Sequence, residues 1–145
     1  VGGNSKPWPW ADTWPIARLS NYKLDDDLLV LAGAHGSSLA FGPGHMDGTI
    51  LPGSVGTSVI AGHRDTHFRF LERLETGDTM LLQNRTGEWH VFSVGAIEIK
   101  DSGDDPTWIL DLSRDEIHLV TCYPFDAISP GGPLRYIVTL VRVIE

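Results

Sequence analysis

The sequence predicts a mostly β domain whose sheet closes, or nearly closes, on itself. Two observations predict the strands. Apolar runs are short and rich in Val, Ile, Leu and aromatic residues, which suit a pleated, half-buried surface. The 16 Gly and 9 Pro are scattered between those runs and not gathered in one tract, as turns between many strands require. The number of strands then predicts closure, because a closed barrel leaves no unpaired edge.

The 145 residues fit one domain of ordinary size. Trp8, Trp10 and Trp14 stand among Pro7, Pro9 and Pro15, a spacing that prevents a regular helix until about Ala17. Residues 1–15 are therefore expected to form an extended arm on the domain surface, and residues 16–145 the folded domain. Strands are expected at Ile16–Leu19 and Leu28–Ala32, separated by the acidic turn Asp25-Asp26-Asp27. A helical turn fits Ser37–Phe41. Gly42-Pro43-Gly44 and Pro52-Gly53 make Gly42–Gly56 a loop before a strand at Thr57–Ala61. A short helix is expected over Phe68–Leu74, apolar at Phe70, Leu71 and Leu74 and stopping before Gly77. Further strands follow at Thr79–Gln83, Trp89–Lys100, Glu116–Thr121 and Leu134–Ile144. Between them, Asp101–Asp115 makes a long excursion interrupted by Trp108-Ile109-Leu110, and loops of that length are uncommon unless functional.

The formal net charge is −8 and the 11 Lys and Arg residues are dispersed, so the cationic footprint of a nucleic-acid binder is missing. No apolar run approaches the roughly 18 to 20 residues that span a bilayer, and no basic-then-apolar leader opens the chain. The fragment is expected to be soluble. It opens without Met at Val1-Gly2-Gly3-Asn4-Ser5, and a membrane anchor is expected upstream.

A single cysteine, Cys122, excludes an intrachain disulfide and a paired-cysteine zinc site. It follows the strand Glu116–Thr121 and precedes Tyr123-Pro124, a strand end where a rigid scaffold can present a reactive group to a groove. His63 sits in Ala61-Gly62-His63-Arg64-Asp65-Thr66-His67-Phe68 at the end of another strand, with Gly62 allowing close backbone approach. Arg135 opens the last strand after Gly131-Gly132-Pro133-Leu134. Each residue alone is more simply a packed or solvated side chain. Together they meet the needs of a thiol nucleophile, a partner for its proton and a donor for developing oxyanion charge.

Three strings carry a resemblance to a known family: Leu119-Val120-Thr121-Cys122 followed by Arg135, the His63 segment upstream, and Leu71-Glu72-Arg73-Leu74-Glu75-Thr76-Gly77-Asp78 with Leu51-Pro52-Gly53. In order and spacing, from about Pro15 to Val143, the chain resembles the sortases, which are cysteine transpeptidases. The Trp-Pro-Trp arm resembles the sortases of Gram-negative bacteria more than the Gram-positive branches. The resemblance implies a closed eight-stranded sortase-type β-barrel with short helices, in which Cys122 attacks a sorting motif near the C-terminus of a client protein. A thioester forms and an amine acceptor resolves it. His63 then serves as general acid and base, and Arg135 stabilises the reacting carbonyl. It implies a domain held on the extracytoplasmic, periplasm-facing side of the inner membrane by the upstream anchor, and no cofactor and no metal are expected.

Around this site the Tyr123 backbone N–H is a candidate second oxyanion donor, and Thr121 a candidate for shaping the pocket. His67 lies four residues after His63, but a metal pair there lacks further ligands. His118 shares the Cys122 side of its strand, where a structural role is favoured. Asp25, Asp26, Asp27, Asp101, Asp104 and Asp105 are better taken as solvated turns than as a calcium site. Two alternatives use the same residues differently: a cysteine hydrolase, in which water resolves the thioester, and a non-catalytic β-barrel that binds peptide while Cys122 is merely packed.

Overall fold

The computed structural model describes residues 15–33, 42–46, 49–64, 66–101, 114–125 and 132–144. Its strands, in chain order, are β1 (Pro15–Ser20), β2 (Leu28–Ala32), β3 (Gly44–His45), β4 (Ser58–Ala61), β5 (Thr79–Gln83), β6 (Trp89–Asp101), β7 (Glu116–Cys122) and β8 (Leu134–Arg142). They form a closed barrel in the spatial order β1-β2-β3-β4-β7-β8-β6-β5. β5 returns to β1 through Leu19 opposite Leu82, so every strand has two neighbours.

Period-two alternation sorts the side chains. From β7, Ile117 and Leu119 point inward and meet Ile60, Val138 and Leu140 in the main core. Each such fully buried side chain contributes about 1.5–3 kcal/mol relative to exposure. From the other face of the same strands, Val120, Val59 and Ile137 form a second apolar cluster with Met46 packed against it. Apolar residues on both faces of β4, β7 and β8 explain why these segments read as nearly continuous hydrophobic runs.

Seven of the strands fall where the apolar runs predict them. β3 lies inside the expected loop Gly42–Gly56. It has only two residues, too few to show a period, and its partners supply the reason it is a strand. Gly44 pairs in parallel with Leu31 of β2 and antiparallel with Ala61 of β4. The expected helix over Phe68–Leu74 is a 3-10 turn, Arg69–Arg73, the only helical element among the described residues. Phe68, Phe70, Leu71 and Leu74 are buried there and join the main core, so the turn is held by its apolar side chains. The Trp-bearing arm, the Ser37–Phe41 turn and positions 102–113 of the long excursion lie outside the described residues.

Candidate active site

Three adjacent strands, β4, β7 and β8, bring the three candidate residues to one rim of the barrel. Cys122 is the last residue of β7, and its direct cross-strand partner is Arg135 of β8. Directly opposed residues project to the same face. On the other flank β4 runs parallel to β7 with Ala61 opposite Val120, and the Gly62 N–H donates to the Val120 carbonyl at 3.1 Å, one residue beyond the strand. Continuing that register sets His63, two residues past β4, level with Cys122. The outer face therefore carries Ala61, Val120 and Ile137 in one row and the Cys122–Arg135 pair in the next.

Local chemistry holds these positions. The Thr121 hydroxyl donates to the Gly62 carbonyl at 2.7 Å, tying the residue before the thiol to the residue before the imidazole. Thr121 itself is buried, 3% exposed, and as the neighbour of Cys122 in the strand it faces the opposite side of β7. A Cβ at Gly62 would stand 2.8 Å from the Phe68 ring, so this glycine allows the anchoring phenylalanine to pack directly under the His63 segment. The Phe68 N–H donates to the His63 carbonyl at 3.0 Å and closes the turn. Thr121→Val is expected to remove the tie to Gly62 and cost about 1 kcal/mol, read by denaturant titration, whereas Thr121→Ser retains the donor and most of that stability.

Cys122 is a free thiol of intermediate exposure, and His63 is exposed. Arg135 directs a single nitrogen, Nη1, to the carbonyls of Gly132 at 2.6 Å and Leu134 at 2.9 Å. Among the described residues its Nε and Nη2 have no protein acceptor, so the guanidinium is anchored by one corner with its remaining donors unspent. The Tyr123 N–H donates to the Leu134 carbonyl at 3.1 Å. That donor is spent in the β7–β8 ladder, a commitment only the register reveals. The Tyr123 ring stacks on Tyr136 at 5.8 Å, and Phe125 meets Tyr136 edge-on at 4.9 Å. These aromatics, with Arg69 and Glu72, line a cavity of about 390 Å³ next to the nucleophile strand end.

His67 is held below the usual histidine range, first by burial and second by the charge of His63. No group of three or more candidate ligands able to hold a metal occurs among the described residues. His118 faces outward on β7 and bonds Glu116 at 3.1 Å, four residues from Cys122 and about 13 Å down the strand. Asp27 pairs with Arg18 at 3.8 Å. A second histidine–arginine pair, His90 and Arg142, meets at 2.9 Å, with Arg142 also bound to Asp115 at 2.6 Å. Arg142 is seven residues along β8 from Arg135, about 23 Å away, and this cluster belongs to the opposite end of the barrel.

The domain is thus a closed eight-stranded barrel that presents a thiol beside a guanidinium at a strand end. A family model described as the Sortase domain matches residues 22–143, and the chain belongs to the sortase family. Sortase D of Bacillus subtilis (strain 168) is 34% identical over 121 residues, which cover 83% of this chain and 60% of that protein. The chain thus spans less than two thirds of the length of that curated relative. Sortase A from Corynebacterium diphtheriae superposes with a TM-score of 0.78 at 29% identity, covering 94% of this chain and 64% of that one. The Sortase D5 transpeptidase of Clostridium perfringens does so with a TM-score of 0.73 at 27% identity, covering 89% of this chain and 79% of that one. These relatives are sortases of Gram-positive bacteria. The expected likeness to the Gram-negative branch is corrected accordingly: it rested on Trp8, Trp10 and Trp14, and the similarity that is found runs through the barrel.

Proposed function

We propose that this domain is a cysteine transpeptidase in which Cys122, His63 and Arg135 act together on a sorting motif near the C-terminus of a client protein. The observation that supports the proposal is the double register, Cys122 opposite Arg135 and Ala61 opposite Val120, which brings a thiol, an imidazole and a guanidinium to one rim from three neighbouring strands. The Cys122 thiolate attacks the scissile carbonyl. Arg135 offers its free Nε and Nη2 donors to the oxyanion, a function the Tyr123 N–H does not supply because Leu134 accepts it. As the tetrahedral intermediate collapses, the C–N bond breaks and the leaving amine takes a proton from the His63 imidazolium. The thioester then meets an amine acceptor, His63 removes the proton the new amide must lose, and the thiolate departs. Thr121 acts by fixing the spacing of the two strands. The proposed setting is the extracytoplasmic face of a membrane, on which sortases as a family are anchored.

The partition of products tests the second half-reaction. Raising the concentration of an amine acceptor is expected to move product from acid to amide, measured by mass spectrometry on a cleaved peptide. Constant hydrolysis at every amine concentration would make the protein a hydrolase.

A further inference from the structure

The register that pairs Cys122 with Arg135 continues one strand further, because Arg135 is also the direct partner of Lys100 on β6. Cys122, Arg135 and Lys100 therefore form one row across β7, β8 and β6, all on the outer face. The row beside it runs Val120, Ile137 and Glu98, its first two members forming part of the outer apolar cluster.

Two cations directly opposed across strands repel each other and weaken a sheet. Among the described residues nothing nearby offsets this pair well. Arg135 bonds only the two backbone carbonyls, with no carboxylate among the described residues. Lys100 has Glu98 at 3.8 Å, and the two side chains are 39% and 51% exposed, a geometry in which an ion pair contributes little. A paired cationic row is an unusual feature in a chain of net charge −8, and it lies beside the thiol.

We infer that Lys100 is a specificity residue, and that it reads a carboxylate side chain on the client near the bond Cys122 cleaves. This rests on the transpeptidase assignment and adds the chemistry of one recognised position. Adjacent strands lie about 4.8 Å apart, so Lys100 is about 10 Å from the Cys122 backbone, and an extended peptide covers that distance in about three residues. The acidic residue accordingly falls within three residues of the scissile bond. A carboxylate there lies between two cations and relieves their repulsion, which a neutral side chain does not.

The test incubates the domain with a randomised peptide library and identifies by mass spectrometry the acyl groups captured on Cys122. The wild type is expected to enrich Asp or Glu at one position near the captured carbonyl by about two- to fivefold, the scale of a partly exposed ion pair. Lys100→Met should abolish the enrichment, Lys100→Glu should reverse it toward Lys and Arg, and Glu98→Gln should preserve it, with melting temperatures close to wild type. No acidic preference in the wild type, or a preference unchanged in Lys100→Glu, overturns the inference while leaving the transpeptidase intact. No adduct on Cys122 with any peptide overturns the transpeptidase assignment, and the inference with it.

Discussion

Cys122→Ala is expected to leave a folded barrel that no longer cleaves or transfers peptide, with turnover reduced by about 10⁴-fold or more, the scale at which loss of a nucleophile is felt. The size of the effect follows from the absence of a substitute, since this is the chain's one cysteine. The effect on stability should be small. Cys122 projects from the outer face at the end of β7, with intermediate exposure, and belongs to neither apolar cluster. Losing one sulfur there opens no cavity in the core. An alkylating reagent should accordingly modify the native domain once and abolish activity, as read by intact mass and peptide cleavage. A thiol that reacts only after denaturation would support a barrel that binds peptide without catalysis.

The strands were legible because their signal is local. β-branched and aromatic runs such as Ile117-His118-Leu119-Val120 carry period and propensity in a few residues. β3 carries neither, and Gly44–His45 becomes a strand only because β2 and β4 stand on either side of it. The short helix over Phe68–Leu74 is legible as well, but not its winding: the apolar spacing of Phe70, Leu71 and Leu74 fits an α or a 3-10 turn equally, and the structure has the tighter 3-10 form over Arg69–Arg73. At the site, residue types and order pointed to Cys122, His63 and Arg135. What each backbone or side-chain donor is already bonded to depends on partners distant in sequence, as with the Tyr123 N–H on Leu134 and the Thr121 hydroxyl on Gly62. Lys100 is not legible beside the site in the sequence for the same reason, since 35 positions separate it from Arg135 and only the β6–β8 register makes them neighbours.

Arg135→Lys is expected to be nearly as damaging as Arg135→Ala, although it keeps the charge. The anchoring pattern explains why. One guanidinium nitrogen, Nη1, is held by the Gly132 and Leu134 carbonyls at 2.6 and 2.9 Å, and the planar fork then fixes where Nε and Nη2 must point. An ammonium has no such fork. If it satisfies the two carbonyls, its charge sits at the anchor and not at the oxyanion; if it turns toward the substrate, the carbonyls lose their donor. Removing a preorganised donor of this kind typically costs about 2.7–4 kcal/mol in the transition state, a fall of about 10²–10³ in turnover. Because the side chain lies on the partly exposed rim, both variants should melt near the wild-type temperature and present the same alkylatable thiol. Steady-state turnover with a cleavable peptide, measured beside thermal melts, separates the possibilities. Near-normal turnover in Arg135→Lys would reduce the residue to a diffuse positive field, and full turnover in Arg135→Ala would remove it from the site.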